Sequence, residues 1–286
     1  MEYSTEPTAL RDRIRSAAKN QGLDAEKMAS RYVAERWVDH FKDAFGPSPI
    51  ALCGGLRYPQ HLRPTSDADI KCVRRFTEQE LTTGMELMKL YLRREGIEIS
   101  TYTFRDVDIG LADPVRRIWI EATAGGIRAN TQINMKSESG PNAFSKDWAE
   151  IEHAPLFPRG PTYTARVESD EAALAEKTDL RAKHLMDVIF LSCQPDIEID
   201  HKKVADEMVR LQAHRGIQWD DITKRPGDAL SWPSMKLRAE DWKRLSIERK
   251  CFIDLHDGFI QLGREFGKIK DRWKRHMLLA FRERDQ

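Results

Sequence analysis

The fold turns on residues 52–70, Leu52-Cys53-Gly54-Gly55-Leu56-Arg57-Tyr58-Pro59-Gln60-His61-Leu62-Arg63-Pro64-Thr65-Ser66-Asp67-Ala68-Asp69-Ile70. Ile50 to Cys53 is a short apolar run stopped by two glycines, and after a polar loop the chain resumes as Asp67-Ala68-Asp69-Ile70-Lys71-Cys72-Val73. That pattern predicts strand, loop, strand. Residues two apart in a strand share a face, so Asp67 and Asp69 are expected to project together with Cβ atoms about 7 Å apart. A carboxylate pair of this kind can straddle two magnesium ions, which phosphoryl chemistry holds roughly 3.5 to 4 Å apart on oxygen ligands. Gly54 and Gly55 would let backbone amides approach a triphosphate with no side chain in the way. Taken singly the signals are weak, because a DxD is also a solvated strand end and a GG pair is also a turn.

Outward from this stretch the pattern is mixed. On the N-terminal side Val33, Trp37, Phe41 and Phe45 recur every four residues after Asp24 and before Gly46-Pro47, which predicts an amphipathic helix with a stop. Thr77 with Glu80 forms a capping-box signature for a helix carrying Leu81, Met85, Met88 and Leu92 and stopping near Gly96. Trp119 to Ala124 and Ile127 to Lys136 flank Gly125-Gly126, a two-residue hairpin signal. Along the second of these strands Arg128, Asn130, Gln132, Asn134 and Lys136 alternate with Ile127, Ala129, Thr131, Ile133 and Met135, so one sheet face is expected to be wet. Residues 153–169 hold three prolines and a glycine, and beyond them helical periodicity prevails, as in Phe266, Ile269, Trp273, Met277 and Phe281. The expected architecture is α+β: a mixed or antiparallel sheet flanked by helices over residues 1–160, then a helical bundle over 161–286.

Gly54-Gly55, eleven intervening residues and Asp67-x-Asp69 reproduce the spacing of the polymerase-beta-like nucleotidyltransferase superfamily. Within it, residues 52–70 resemble the first motif of the AbiEii-type nucleotidyltransferase toxins, a GGTAL segment followed by RxSxDxD. Leu56 stands where that family prefers threonine, and Thr65 replaces its serine with the hydroxyl kept. Asn130-Thr131-Gln132-Ile133-Asn134-Met135-Lys136 resembles the family's KVEIN strand followed by a basic residue, with Gln132 at the acidic position. Residues 174–191, Leu174 through Glu176-Lys177 to Lys183, Asp187 and Leu191, resemble its EK and RDxxD motifs. The resemblance covers roughly residues 30–195.

It implies that Asp67 and Asp69 bind Mg2+ or Mn2+, that Gly54, Gly55, Arg63, Thr65, Ser66 and Lys177 bind a nucleoside triphosphate, and that Asp187 is a base or positioning group for the attacking hydroxyl. In one unbroken helix Lys177 and Asp187 would lie about 15 Å apart along the axis and about 80° apart around it, so they would serve different parts of the substrate unless the helix breaks. Lys177 also reads as a solvated partner of Glu176, and Asp187 as a salt-bridge partner of Lys183. The implied activity is transfer of a nucleoside monophosphate to an acceptor hydroxyl, with RNA, at the tRNA acceptor end, as acceptor and with the chain acting as the toxin of a toxin-antitoxin pair whose antitoxin is encoded nearby. A small-molecule, antibiotic-type transferase and a catalytically silent nucleotide-binding protein are the alternatives.

Composition narrows the partners. Lys plus Arg number 47 against 46 Asp plus Glu, so the net charge of +1 supplies no global pull towards nucleic acid or anionic membrane, and any basic surface must be local. Such a surface could be the final helix from Arg264, although a solvated helix face is the default explanation of its lysines and arginines. Cys53, Cys72, Cys193 and Cys251 lack the paired spacing of a zinc site and are expected to be buried free thiols. No stretch approaches the roughly 18 apolar residues of a membrane span, and the polar N-terminus lacks a signal core, so a cytoplasmic location with no membrane partner is expected. Asp106-Val107-Asp108, a second DxD without an upstream glycine pair, is expected to be a supporting strand, and His153, His184 and His201 are too scattered to form a ligand set.

Overall fold

The structure is a computed structural model that describes residues 6–46, 50–58, 65–108, 114–137, 148–176 and 199–214. By its contacts the chain divides into two compact units, Met1–Ser139 with Trp148–Val167, and Gly140–Asp147 with Glu168–Gln286. The first unit begins with two helices whose ends are written in the sequence. α1 (Pro7–Gln21) starts on a proline and ends at left-handed Gly22, whose N–H donates to the Ala18 and Lys19 carbonyls. α2 (Ala25–Asp39) is capped by Asp24, whose carboxylate accepts from the N–H groups of Glu26 and Lys27. The single helix expected up to Phe45 is interrupted at His40 and resumes as α3 (Phe41–Phe45), which ends at Gly46 with φ +81°. Trp37, Phe41 and Phe45 still share one aromatic cluster across the interruption, with ring centroids 4.9–5.5 Å apart.

The strands are β1 (Ile50–Cys53), β2 (Ala68–Cys72), β3 (Ile97–Val107), β4 (Val115–Ala124), β5 (Ile127–Ser137), β6 (Trp148–His153) and β7 (Tyr163–Glu168). They form one mixed sheet in the order β3-β4-β5-β2-β1-β7-β6, so the described fold is α+β. β1 and β2 are antiparallel, as are β3 with β4 and β4 with β5, whereas β2 runs parallel to β5 and β1 parallel to β7. Gly125 and Gly126, both at positive φ, close the β4–β5 hairpin as the sequence predicts. Gly125 must be glycine for a second reason: a Cβ there would meet the α1 backbone, 2.6 Å from the Arg11 nitrogen and 2.7 Å from the Pro7 oxygen. β7 continues the sheet past residue 160, where the helical half is expected to have begun. Tyr163, Ala165 and Val167 are buried in alternation with exposed Thr164 and Arg166, a short period-two signal placed directly after a Pro/Gly-rich turn.

Between β2 and β3 lies α4 (Glu78–Arg94), opened by the predicted capping box: the Thr77 hydroxyl accepts from the Glu80 N–H and the Glu80 carboxylate accepts from the Thr77 N–H. α2 lies across β4 and β5, and α4 packs on β3. Their apolar sides share one core with Leu52, Ile70, Cys72, Ile118, Ile120, Ile133 and Met135, which all point to one face of the sheet. By strand alternation the opposite face carries Asp69, Arg105, Arg117, Trp119, Gln132, Asn134 and Lys136. The polar alternation expected from β5 therefore extends across the central strands, although Lys71 and Asn134 on that face are buried rather than wet.

In the second unit α5 (Asp170–Glu176) packs against α6 (His201–His214), and Ala172, Leu174, Val204, Ala205 and Met208 are buried. Asp200 caps α6, accepting from the N–H groups of Lys202 and Lys203 at 2.9 and 3.2 Å. The expected bundle over the rest of this unit and the final helix from Arg264 lie outside the described residues. Among the described residues, no helix is long and apolar enough to cross a membrane.

Candidate active site

Asp69 sits at the centre of the sheet on β2, opposite Cys53 of β1 on one side and Asn134 of β5 on the other. Both of its oxygens have a defined environment. Oδ1 accepts a 2.9 Å hydrogen bond from the Asn134 amide. Oδ2 faces Gly54, which follows β1 with φ +70° and opens a single 3-10 turn, Gly54–Arg57. A Cβ on Gly54 would overlap Oδ2 and lie 2.9 Å from Asp69 Cβ and Cγ. Two separate constraints, a left-handed backbone and a carboxylate pressed against the α-carbon, thus demand glycine at this position. Gly55 is buried and does not share the positive φ, so the two glycines do different work.

Asp67 precedes the first residue of β2, half-buried, with its N–H donating to the Thr65 hydroxyl at 3.4 Å. Ser66 is anchored through its carbonyl, which accepts from the hydroxyl of Thr131 on β5. The loop end that delivers both aspartates is thus tied to β5 by backbone pairing and by a side-chain bond. Arg63, Lys177, Lys183 and Asp187 lie outside the described residues, and Glu176 ends α5.

The neighbour of Asp69 on β5 is Asn134, and Gln132 lies two residues earlier on the same face, donating to Asn134 Oδ1 at 2.9 Å. Arg117 Nε donates to the same oxygen at 2.8 Å. A chain from Arg117 and Gln132 through Asn134 to Asp69 therefore fixes the carboxylate from the β5 side. Among the described residues, no third carboxylate stands in this row. Asp67 and Asp69 are the aspartates at this end of β2, and a pair of carboxylates matches magnesium's habit of using one or two and taking its other ligands from water and substrate phosphate. With Asp69 Oδ1 held by the Asn134 amide and Oδ2 packed against Gly54, the carboxylate is fixed in place, and two aspartates two residues apart fit a divalent cation in the chemistry of their donor atoms.

Other polar clusters have structural explanations. Asp106, from the second DxD, is held by Arg116 at 2.5 Å and by Arg75, which keeps its carboxyl below the usual range despite some desolvation. Asp39, His40 and Glu95 come close enough to hold a metal ion. Arg36 occupies that place instead, donating to Glu95 Oε1 at 2.7 Å, to Glu95 Oε2 and to Asp39 at 2.5 Å. His40 donates to Glu95 as well, which raises its pKa. His153 stacks on Tyr163 with centroids 4.5 Å apart, and burial, with Arg31 and Arg57 nearby, lowers its pKa to about 4. Cys53 and Cys72 are buried free thiols as expected, and burial pushes Cys72 up to about 12.

Among known proteins, the chain matches no protein-family profile and no curated protein sequence. A crystal structure of JHP933 from Helicobacter pylori overlaps 98% of this chain and 100% of that one, at 15% identity and a TM-score of 0.48.

Proposed function

We propose that this chain is a metal-dependent nucleotidyltransferase of polymerase-beta-like fold, related to the AbiEii-type toxins, which moves a nucleoside monophosphate from a triphosphate to the terminal hydroxyl of an RNA acceptor, with tRNA as the expected acceptor. The single observation that carries the proposal is left-handed Gly54 lying flush against the Asp69 carboxylate at the end of β1. On this reading the glycine turn would offer backbone N–H groups to a triphosphate next to the carboxylate that would hold the metal, and the close contact of Gly54 with Asp69 supports it. Asp67 and Asp69 would hold Mg2+, and Gly54, Gly55, Arg63, Thr65 and Ser66 would line the phosphate site. By the resemblance, Lys177 would neutralise triphosphate charge and Asp187 would orient the attacking hydroxyl, both on the expected C-terminal helical bundle. A toxin role relieved by a neighbouring antitoxin follows from the same resemblance.

The deciding experiment incubates the protein with Mg2+, each labelled triphosphate and total cellular RNA. Label is expected on RNA with wild type, and more than a thousandfold less with Asp67→Ala or Asp69→Ala, since a lost metal ligand removes several kcal/mol of transition-state stabilisation. Full activity in either variant overturns the site, and label on a small molecule moves the acceptor to the antibiotic type. One observation favours a second reading, a nucleotide-binding protein without turnover: Asn134 and Gln132 stand where a third carboxylate would be sought. Tight triphosphate binding without pyrophosphate release would establish it.

A further inference from the structure

On the polar face, Arg117 of β4, two strands from Asp69, and Arg105 of β3, three strands away, stand directly opposite each other in the antiparallel register. Like charges at such positions destabilise a sheet. Among the described residues neither arginine has an ion-pair partner, although Arg117 also holds Asn134. Trp119 follows Arg117 on the same face, half-buried, with the two guanidinium carbons 4.7 and 5.6 Å from its ring centroid. Trp119 in turn pairs with Gln132, whose amide reaches Asn134 beside Asp69. Among the described residues, the helices of the first unit share their core with the other face of the sheet.

We infer that Arg105, Arg117 and Trp119 form a nucleotide subsite that holds the single-stranded end of the acceptor RNA, the arginines taking a phosphate and the indole stacking an unpaired base. The inference rests on the nucleotidyltransferase reading for the direction of approach. A phosphate between the two arginines relieves their repulsion, and exposed Arg105 frees an indole face when it swings to that phosphate. The strand order assigns the base to the acceptor rather than to the triphosphate. Gly54 lies on the β1 side of Asp69, whereas Trp119 lies on the β5–β4 side, about 12 Å away at two interstrand spacings across and two residues along. In-line transfer places the leaving pyrophosphate and the attacking hydroxyl on opposite sides of the reacting phosphorus. Phosphate grip and acceptor base therefore belong on opposite sides of the carboxylate.

The test measures fluorescence anisotropy of a labelled single-stranded oligoribonucleotide with a free 3′ hydroxyl on the full-length chain, alongside magnesium–triphosphate binding by calorimetry. Trp119→Ala should weaken RNA binding tenfold or more and leave triphosphate binding unchanged, while Trp119→Phe, which keeps a stacking surface, should retain most of the affinity. Arg105→Ala, an exposed change that leaves the core alone, should weaken RNA binding and reduce the slope of log affinity against log salt by about 0.7, the value for one single-strand phosphate contact. Wild-type RNA affinity in both Trp119→Ala and Arg105→Ala overturns the inference. So does weakened triphosphate binding with RNA binding intact, which would give the indole to the incoming nucleotide, or affinity only for a small aromatic acceptor. Asp69→Asn separates the two readings: it should bind RNA normally and transfer nothing. If wild type also transfers nothing yet binds RNA through Trp119, the nucleotidyltransferase reading fails and the subsite stands.

Discussion

Gly54→Ala tests the geometry at its tightest point. The substitution forces a side chain into a left-handed backbone, at a cost of about 1–2 kcal/mol. It also drives a methyl group into Asp69 Oδ2 and to 2.9 Å from Asp69 Cβ and Cγ, an overpacking cost of about 1–3 kcal/mol, because Asp69 is pinned in mid-sheet between Cys53 and Asn134. The expected loss is about 2–5 kcal/mol, read as a shift in the urea midpoint at unchanged slope. In an Asp69→Ala background the overlap with Oδ2 disappears and only the 2.9 Å approach to Cβ remains. There the same substitution should cost little more than the backbone penalty of about 1–2 kcal/mol, giving a coupling energy of roughly 1 kcal/mol or more. Equal costs in the two backgrounds would refute the claim that Gly54 exists to receive Asp69. So would a folded Gly54→Ala protein that transfers nucleotide at the wild-type rate.

Two further outcomes follow from the rest of the first unit. Gly84 on α4 abuts Phe45, and a Cβ there would overlap the ring and lie 2.8 Å from Cζ, so Gly84→Ala should lower stability by about 1–3 kcal/mol in urea titration in spite of its better helix propensity. The histidines should titrate in opposite directions by NMR. His40, facing Glu95, Asp39, Asp43 and Arg36, is raised above 6.5, so its stabilisation is full below that pH and is lost as pH rises through the folded value; His40→Gln should therefore lower Tm more at pH 5.5 than at pH 8.5. His153 is depressed to about 4, so its contribution is full above 6.5 and is lost as pH falls towards 4; a midpoint near 6.5 in the folded protein would show that its burial against Tyr163 has been misjudged.

Local chemistry determined the pieces. The Asp24 and Thr77 caps, the Gly125-Gly126 hairpin, the strands around Gly54-Gly55 and Asp69, and the wet alternation of β5 are all set by neighbours within a few residues, which is why they can be read in one dimension. The interruption at His40 was hidden because the four-residue aromatic spacing continues across it and still serves one cluster. β7 was hidden in a stretch whose prolines read as linker. What the sequence could not state was register. Asn134 showed itself only as one polar residue among five on β5, and the resemblance drew attention to Gln132 instead. The parallel pairing of β2 with β5, across 65 residues, decides that the Asn134 amide holds Asp69 and that Gln132 and Arg117 hold Asn134 in turn. The positive φ of Gly54 and its contact with Asp69 likewise arise from two strands meeting, as does the opposition of Arg105 and Arg117. Periodicity assigns a residue to a face, but only the pairing of distant strands chooses its neighbours on that face, and both the carboxylate cradle and the arginine–tryptophan patch are made of such neighbours.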